Sequence, residues 1–301
     1  MRSDRTSYQG DRSQVSEAPT LPELLTLERA GENAFVGQFR VLGRRSAYGG
    51  LVIGQALAAA MRTVPDLMPH SLHAYFLRPG DPAHPVTYTV DAFQDGRSFK
   101  TRRVEATQNG QTILTMLLSF QAAEEGLEYH HPMPEVPAPE DLPTGEEMAR
   151  RYFDSLAPDD PRRQVSAQRS VFELRHVHPA GFFESAAPRS ENRFWFRSVN
   201  AVPPDPLLRY CALAYASDFG PMATALLPHR KSPVSDGIRL ASLDHAIWFH
   251  REPRFDDWLL CDLDTPSSQG GRGLSFGRIF SRDGRLIASI AQEGVMRVRP
   301  G

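Results

Sequence analysis

The sequence predicts an α+β chain in which one plan, a buried helix followed by antiparallel strands, is written twice. Three observations carry this reading. The stretch "SLHAYFLRPGDP" near residue 71 returns near residue 242 as "SLDHAIWFHREP". Two hairpin signals, Asn109-Gly110 and Asp283-Gly284, are each followed by an apolar strand, and "NGQTILTML" and "DGRLIASIA" align without a gap. Two segments rich in Ala and Leu, "GGLVIGQALAAAM" and "DPLLRYCALAYAS", precede these strand runs in their respective halves.

In order along the chain, the first 20 residues are polar and charged and read as a disordered tail. "LPELLTLERA" (21–30) reads as a short amphipathic helix, and "NAFVGQFRVLG" alternates as a strand does. From Leu51 to Thr63 the chain is apolar on nearly every helical face, stopping before Pro65, so this helix has to be enclosed by other elements. Four strand-like runs follow, "SLHAYFLRP", "VTYTVDAFQDG", "SFKTRRVEATQNG" and "QTILTMLLSFQA", joined by turns too short for parallel crossovers. Residues 124–165 are rich in Pro and acidic residues and read as a linker or surface-hugging connection with a short helix. The plan then repeats: strands "VFELRHV" and "NRFWFRSV", a helix with Asp205 as N-cap and Pro206 at its first position, and four more strand-like runs from "RLASLDHAIWFHR" to "RLIASIAQEGVMRV". A helix wrapped by a long antiparallel sheet is the hot-dog arrangement. The expected architecture is therefore a double hot-dog: two antiparallel sheets, each around a central helix, packed as a pseudo-dimer. Its parts are an N-terminal unit over 21–123, a linker over 124–165 and a C-terminal unit over 166–301.

Composition narrows the function classes. A chain of 301 residues with 41% hydrophobic content can build a full core. A net charge of -2 gives no global reason to expect a nucleic-acid partner. Two cysteines, Cys211 and Cys261, make neither a disulfide framework nor a zinc spacing. No apolar run approaches the roughly 18 residues of a membrane span, and the N-terminal stretch lacks an apolar signal core, so a cytoplasmic protein is expected. "GLSFG" (273–277) fits the G-x-S-x-G nucleophile pattern, but it lies where a strand runs on into a hairpin, so Ser275 is not expected to be a nucleophile. His130, His131, His176 and His178 have no carboxylate or cysteine at ligand spacing, and neither a metal nor a cofactor is expected.

The motifs "YGGLVIGQAL", "HSLHAYFLRPGD", "DGRSFKTRRVEATQNG", "YASDFG", "SLDHAIWFHR" and "AQEGVMR" together resemble the type II acyl-CoA thioesterases, from about Leu21 to Arg297. The resemblance implies metal-free hydrolysis of acyl-CoA to free acid and CoA, with an Asp, a Ser or Thr and a Gln holding the attacking water. Matched motif to motif, these are Asp218, Ser242 and Gln292. Read physically, Asp218 follows a helix and precedes Phe219-Gly220, so it fits either a solvent-facing turn or a base that takes a water proton. Gln292 shares a strand face with Ile290 and Ala288, so it faces the core if they do, and a buried amide needs partners. Its carbonyl would accept from the water while its amide donates to Asp218.

Gly49 and Gly50 open the first buried helix, where backbone N–H groups could meet a thioester oxyanion or simply permit close packing. The family often has Gln after this glycine pair; here Leu51 stands there, while Gln55 is retained as a candidate substrate contact. His73 is a structural or near-site candidate, matched in the repeat to His245. Asp244, present only in the second copy, fits either a supporting role at the site or a strand edge. Arg78, Lys100, Arg102 and Arg272 are candidates for the CoA phosphates. The partners expected are an acyl-CoA substrate and a second copy of the chain, in a dimer or tetramer. The alternative functions are a non-catalytic acyl-CoA-binding module and a hot-dog enoyl-CoA hydratase or dehydratase.

Overall fold

The computed structural model describes residues 19–39, 46–157, 160, 170–178, 187–233 and 237–298. Nearly all of the expected N-terminal tail lies outside them. The first helix, α1 (Leu21–Leu25), is opened by a reciprocal capping box between Thr20 and Glu23. It is half as long as its periodicity predicts. The Thr26 N–H closes on the Pro22 carbonyl, and the next residues leave the helix to form β1 (Glu28–Arg29), paired with β2 (Ala34–Gly37).

The enclosed helix α2 (Gly49–Met61) precedes β3 (Met68–Phe76), β4 (Val86–Asp95), β5 (Phe99–Gln108) and β6 (Gln111–Gln121). Every α2 residue from Gly50 to Met61 is buried. Ile53 and Leu57, both fully enclosed, each contribute about 1.5–3 kcal/mol by leaving water. Asn109 (φ 49°) and Gly110 (φ 72°) both adopt the left-handed conformation that a two-residue hairpin turn requires. After α3 (Gly145–Ser155), the second half comprises β7 (Phe172–His176), β8 (Glu191–Ser198), α4 (Pro206–Ala216), the short α5 (Pro221–Thr224), β9 (Ile238–Ser242), β10 (Asp244–Phe249), β11 (Leu259–Gln269), β12 (Arg272–Ser281) and β13 (Leu286–Val298). Asp205 caps α4 by accepting the Leu207 N–H, with Pro206 at the first helical position.

The expected two sheets are one. Among the described residues the strands form a single 13-stranded sheet in the order β1-β2-β4-β5-β6-β3-β10-β13-β12-β11-β8-β7, with β9 alongside β13. The halves meet edge to edge through the antiparallel pair β3–β10, in register Leu72↔Ile247, His73↔Ala246 and Ala74↔His245. Joining removes two free strand edges that separate sheets would expose. The order on one side of this seam matches the order on the other, so a pseudo-twofold axis passes through the His73–Ala246 pair.

Helices α2 and α4 pack against each other across the join. Their approach depends on Gly50 and Gly54, one turn apart on α2. A Cβ at 54 would come within 3.0 Å of the Cys211 carbonyl oxygen, and one at 50 would overlap the Tyr215 carbonyl oxygen. The proline-rich connection lies over the opposite face of the second half. Trp195, Trp258, Leu260, Phe280 and Leu286 form a small second core there with Met133, Val136 and Leu142, and the Trp195 indole donates to the Pro137 carbonyl at 3.0 Å.

Candidate active site

Three side chains far apart in sequence converge where α4 ends. Asp218 lies just beyond α4, Ser242 ends β9, and Gln292 lies within β13. The Gln292 amide nitrogen donates to Asp218 Oδ1 at 2.9 Å and to Ser242 Oγ at 2.8 Å. Strand alternation puts Gln292 inside, as the sequence pattern indicates: it is 1% exposed, with Ile290 and Ala288 buried on the same face.

The other Asp218 oxygen, Oδ2, accepts the Gly50 N–H at 2.9 Å. Gly50 is the second residue of α2, whose N-cap Tyr48 makes no side-chain cap. A carboxylate from the second half thus satisfies an orphan donor of the first half's helix, at the positive end of its dipole. The Gly50 N–H is therefore occupied by Asp218 rather than held ready for an oxyanion. Gly49 serves the same approach: a Cβ there would sit 3.0 Å from Asp218 Oδ2 and 3.0 Å from the Phe76 ring. Tyr48 closes the junction, its hydroxyl donating to the Tyr215 carbonyl at 3.0 Å and its ring stacking on Phe219 at 5.7 Å.

The Gln292 carbonyl does not face this cluster. Gln292 Oε1 lies 2.6 Å from His245 Nδ1, and His245 Nε2 lies 2.8 Å from Ser217 Oγ. Burial pushes the His245 pKa down to about 4, against the opposing effect of its bond to Gln292. His245 and Ser217 are the residues that sequence reasoning missed. The signal was present but misread, because the two "His-Ala" steps look equivalent and are not. Leu118 aligns with Gln292 through the two hairpins, and Leu118 pairs with Leu72. The counterpart of His245 is therefore Leu72, and the counterpart of His73 is Ala246.

The strand register explains this, and it is shared by the two halves: β3 has a one-residue bulge at His70, between the pairs Pro69↔Phe120 and Ser71↔Ser119, and the second half has its equivalent. The β9–β13 register ends at Ser242↔Gly294, and the β10–β13 register begins at Ala246↔Ala291. Three residues, Leu243, Asp244 and His245, therefore oppose two, Gln292 and Glu293, which is a β-bulge. A one-residue shift turns every following side chain to the other face, so His245 points inward beside Gln292. Asp244 belongs to this bulge: its Oδ1 accepts the Glu293 N–H at 2.8 Å. Burial raises the Asp244 pKa, with the Glu293 N–H acting in the opposite direction.

Two other candidate residues are engaged elsewhere. His73 is exposed on the outer face of the sheet, its ring edge-on to Trp248 at 5.2 Å, on the side away from Gln292. Gln55 is fully buried. Its amide donates to the Leu24 carbonyl at 2.6 Å and the Gln38 carbonyl at 3.2 Å, and its oxygen accepts the Tyr88 hydroxyl at 2.8 Å. It ties α1 and β4 to α2 and has no polar atom turned outward. Ser275 is buried within β12 and donates to the Pro221 carbonyl at 2.8 Å, which anchors α5. Of the cations considered for phosphates, Lys100 is paired with Asp66 and Arg102 with Asp95, both within the first half. Arg272 is paired with Glu293, the neighbour of Gln292, and Arg78 donates to the Thr112 carbonyl. No group of three or more metal-ligating side chains occurs among the described residues, and no described helix is long and apolar enough to cross a membrane.

The fold and this cluster define a hot-dog protein of two like halves, in which a carboxylate, a hydroxyl and an amide of the second half meet and the carboxylate is held by a helix N–H of the first. Residues 41–121 match the family model of the acyl-CoA thioesterase N-terminal domain, and residues 139–296 that of the C-terminal domain. The chain is 40% identical over 278 residues to acyl-CoA thioesterase 2 of Haemophilus influenzae, covering 92% of this chain and 96% of that protein. It is 35% identical over 309 residues to human acyl-coenzyme A thioesterase 8, covering 99% and 93%. The crystal structure of an acyl-CoA thioesterase II from Mycobacterium marinum superposes with a TM-score of 0.76 at 38% identity, covering 93% of this chain and 98% of that one. The chain belongs to the type II acyl-CoA thioesterase family.

Proposed function

We propose that this protein hydrolyses acyl-CoA thioesters to free acid and CoA, and that Asp218, Ser242 and Gln292 hold and activate the attacking water. The observation that carries the reading is the Gln292 amide, which bridges Asp218 Oδ1 and Ser242 Oγ. A water that donates one proton to Asp218 and the other to Ser242 Oγ keeps a lone pair for the thioester carbon. Asp218 takes a proton as the C–O bond forms. The tetrahedral intermediate then collapses: the C–S bond breaks and Asp218 returns the proton it took to the departing sulfur, so that CoA leaves as the thiol and the carboxylate is regenerated. The Ser242 oxygen accepts from Gln292, so its own proton is available to the developing oxyanion. Gln292 acts by orienting the other two, because its amide nitrogen and oxygen are already engaged within the protein. Acyl-CoA as substrate is supported by the names of the relatives, whose lengths this chain spans almost entirely.

Thiol release from acyl-CoA by wild type and by Asp218→Ala tests the reading. Loss of an acid/base group costs about 10²–10⁴-fold in rate, so Asp218→Ala should lose at least a hundredfold in kcat while remaining folded. Equal rates would remove Asp218 from the mechanism. Hydration of an enoyl-CoA without thiol release would instead favour the hydratase reading.

A further inference from the structure

The geometry points to His245 as a positioning residue that sets which way the Gln292 amide faces, with Ser217 setting the tautomer of His245. This rests on the proposed roles of Asp218, Ser242 and Gln292 and adds a residue behind them that touches no substrate.

The argument runs outward from charge. An ionised carboxylate is an acceptor only, so the end of the Gln292 amide that meets Asp218 must be its N–H₂. The carbonyl end then faces His245 Nδ1 at 2.6 Å, and Nδ1 must carry a proton. His245 is 1% exposed, and burial favours its neutral form, which has a single N–H. With Nδ1 protonated, Nε2 is a lone pair and needs a donor. The Ser217 hydroxyl, 2.8 Å away, is that donor; the Ala214 carbonyl, also at 2.8 Å, lies within reach of the same proton. The chain Ser217–His245–Gln292–Asp218 is thus polarised in one direction.

Reversing the amide would set the Gln292 oxygen against the Asp218 carboxylate and the N–H₂ against a protonated Nδ1. Both contacts are repulsive. Without His245 the amide loses the group that makes its reversed orientation unfavourable on the inner side, and Ser242 loses the donor that aims it. Both halves carry the one-residue bulge, at His70 in β3 and at Leu243–Asp244 before β10, but only the second half puts a histidine and a glutamine opposite each other beyond it. In the other half Leu72 faces Leu118 at the corresponding positions, and no amide needs orienting there.

The test compares His245→Asn, whose amide nitrogen can occupy the place of Nδ1, with His245→Leu, which fills the space without a donor. Both are made in wild-type and Gln292→Ala backgrounds, with kcat and KM for acyl-CoA measured on protein shown to be folded by near-UV circular dichroism. His245→Leu should lower kcat about tenfold, the scale of one buried hydrogen bond, at nearly unchanged KM. His245→Asn should recover most of it, and neither change should matter once Gln292 is alanine. Equal losses in the Asn and Leu variants, or an undiminished effect of His245→Leu in the Gln292→Ala background, would overturn the assignment and leave His245 a packing residue. Full activity of Gln292→Ala alone would instead overturn the reading of the water site. Should His245→Leu fail to fold, Ser217→Ala provides the same comparison. It should lower kcat less than tenfold, and only while Gln292 is present; no loss overturns the role given to Ser217.

Discussion

Replacing Gly50 by Ala tests whether the two halves share one site. An added Cβ would overlap the Tyr215 carbonyl oxygen and stand 2.7 Å from the Tyr48 ring. The carbonyl belongs to the backbone of α4, so relief requires the two helices to separate. Overpacking of this kind costs about 1–3 kcal/mol, while alanine in place of glycine in a helix returns up to about 1 kcal/mol. A net destabilisation of about 1–2 kcal/mol is expected. The same displacement withdraws the Gly50 N–H from Asp218 Oδ2, now 2.9 Å away. A hydrogen bond to a charged group contributes about 1.5–3 kcal/mol, so even partial loss should lower kcat about tenfold. Urea denaturation followed by circular dichroism gives the first quantity and thiol release the second. A variant with the wild-type urea midpoint and full kcat would refute the claim that α2 of the first half holds the carboxylate of the second.

Two further outcomes follow from buried polar groups. His176 and His245 each have a pKa pushed down to about 4 by burial, against 6.5 for an exposed imidazole. In the unfolded chain they bind protons below 6.5 while the folded chain does not, so stability should be level above that pH and fall as pH drops towards 4. The expected loss is about 2 kcal/mol per histidine at pH 5, read as a lower urea midpoint at pH 5 than at pH 7; a flat profile would contradict it. Gln55→Leu removes the partners of the Leu24 carbonyl and Tyr88 hydroxyl, at about 1–3 kcal/mol for each unsatisfied group. It should lower the urea midpoint but leave KM for acyl-CoA unchanged in the folded protein, whereas a raised KM would return Gln55 to the substrate.

Much of the architecture was legible because it depends on local periodicity. The all-round apolar character of α2 announced an enclosed helix, Asp205-Pro206 announced the start of α4, and Asn109-Gly110 announced a hairpin. Alternation with Ile290 and Ala288 put Gln292 inside. The first helix was overread because its apolar spacing continues past Thr26, where strand pairing of Glu28 and Arg29 outweighs a marginal helical turn. The pairing of His73 with His245 failed for a different reason: letter-by-letter similarity ignores which face of a sheet a residue occupies.

The sequence by itself determined the duplication, the helix-and-sheet composition of each half and the family motifs that carry Asp218, Ser242 and Gln292. Periodicity and turn chemistry are properties of neighbouring residues, and a linear reading contains them. Only the tertiary structure decided that the halves share one sheet through β3 and β10, that Gly50 of one half holds Asp218 of the other, and that a bulge turns His245 onto Gln292. These depend on register and on contacts between segments remote in sequence. The letters align His73 with His245, but the strand register, with the same one-residue bulge in each half, aligns Leu72 with His245, and register is a property of paired strands that a linear text does not contain.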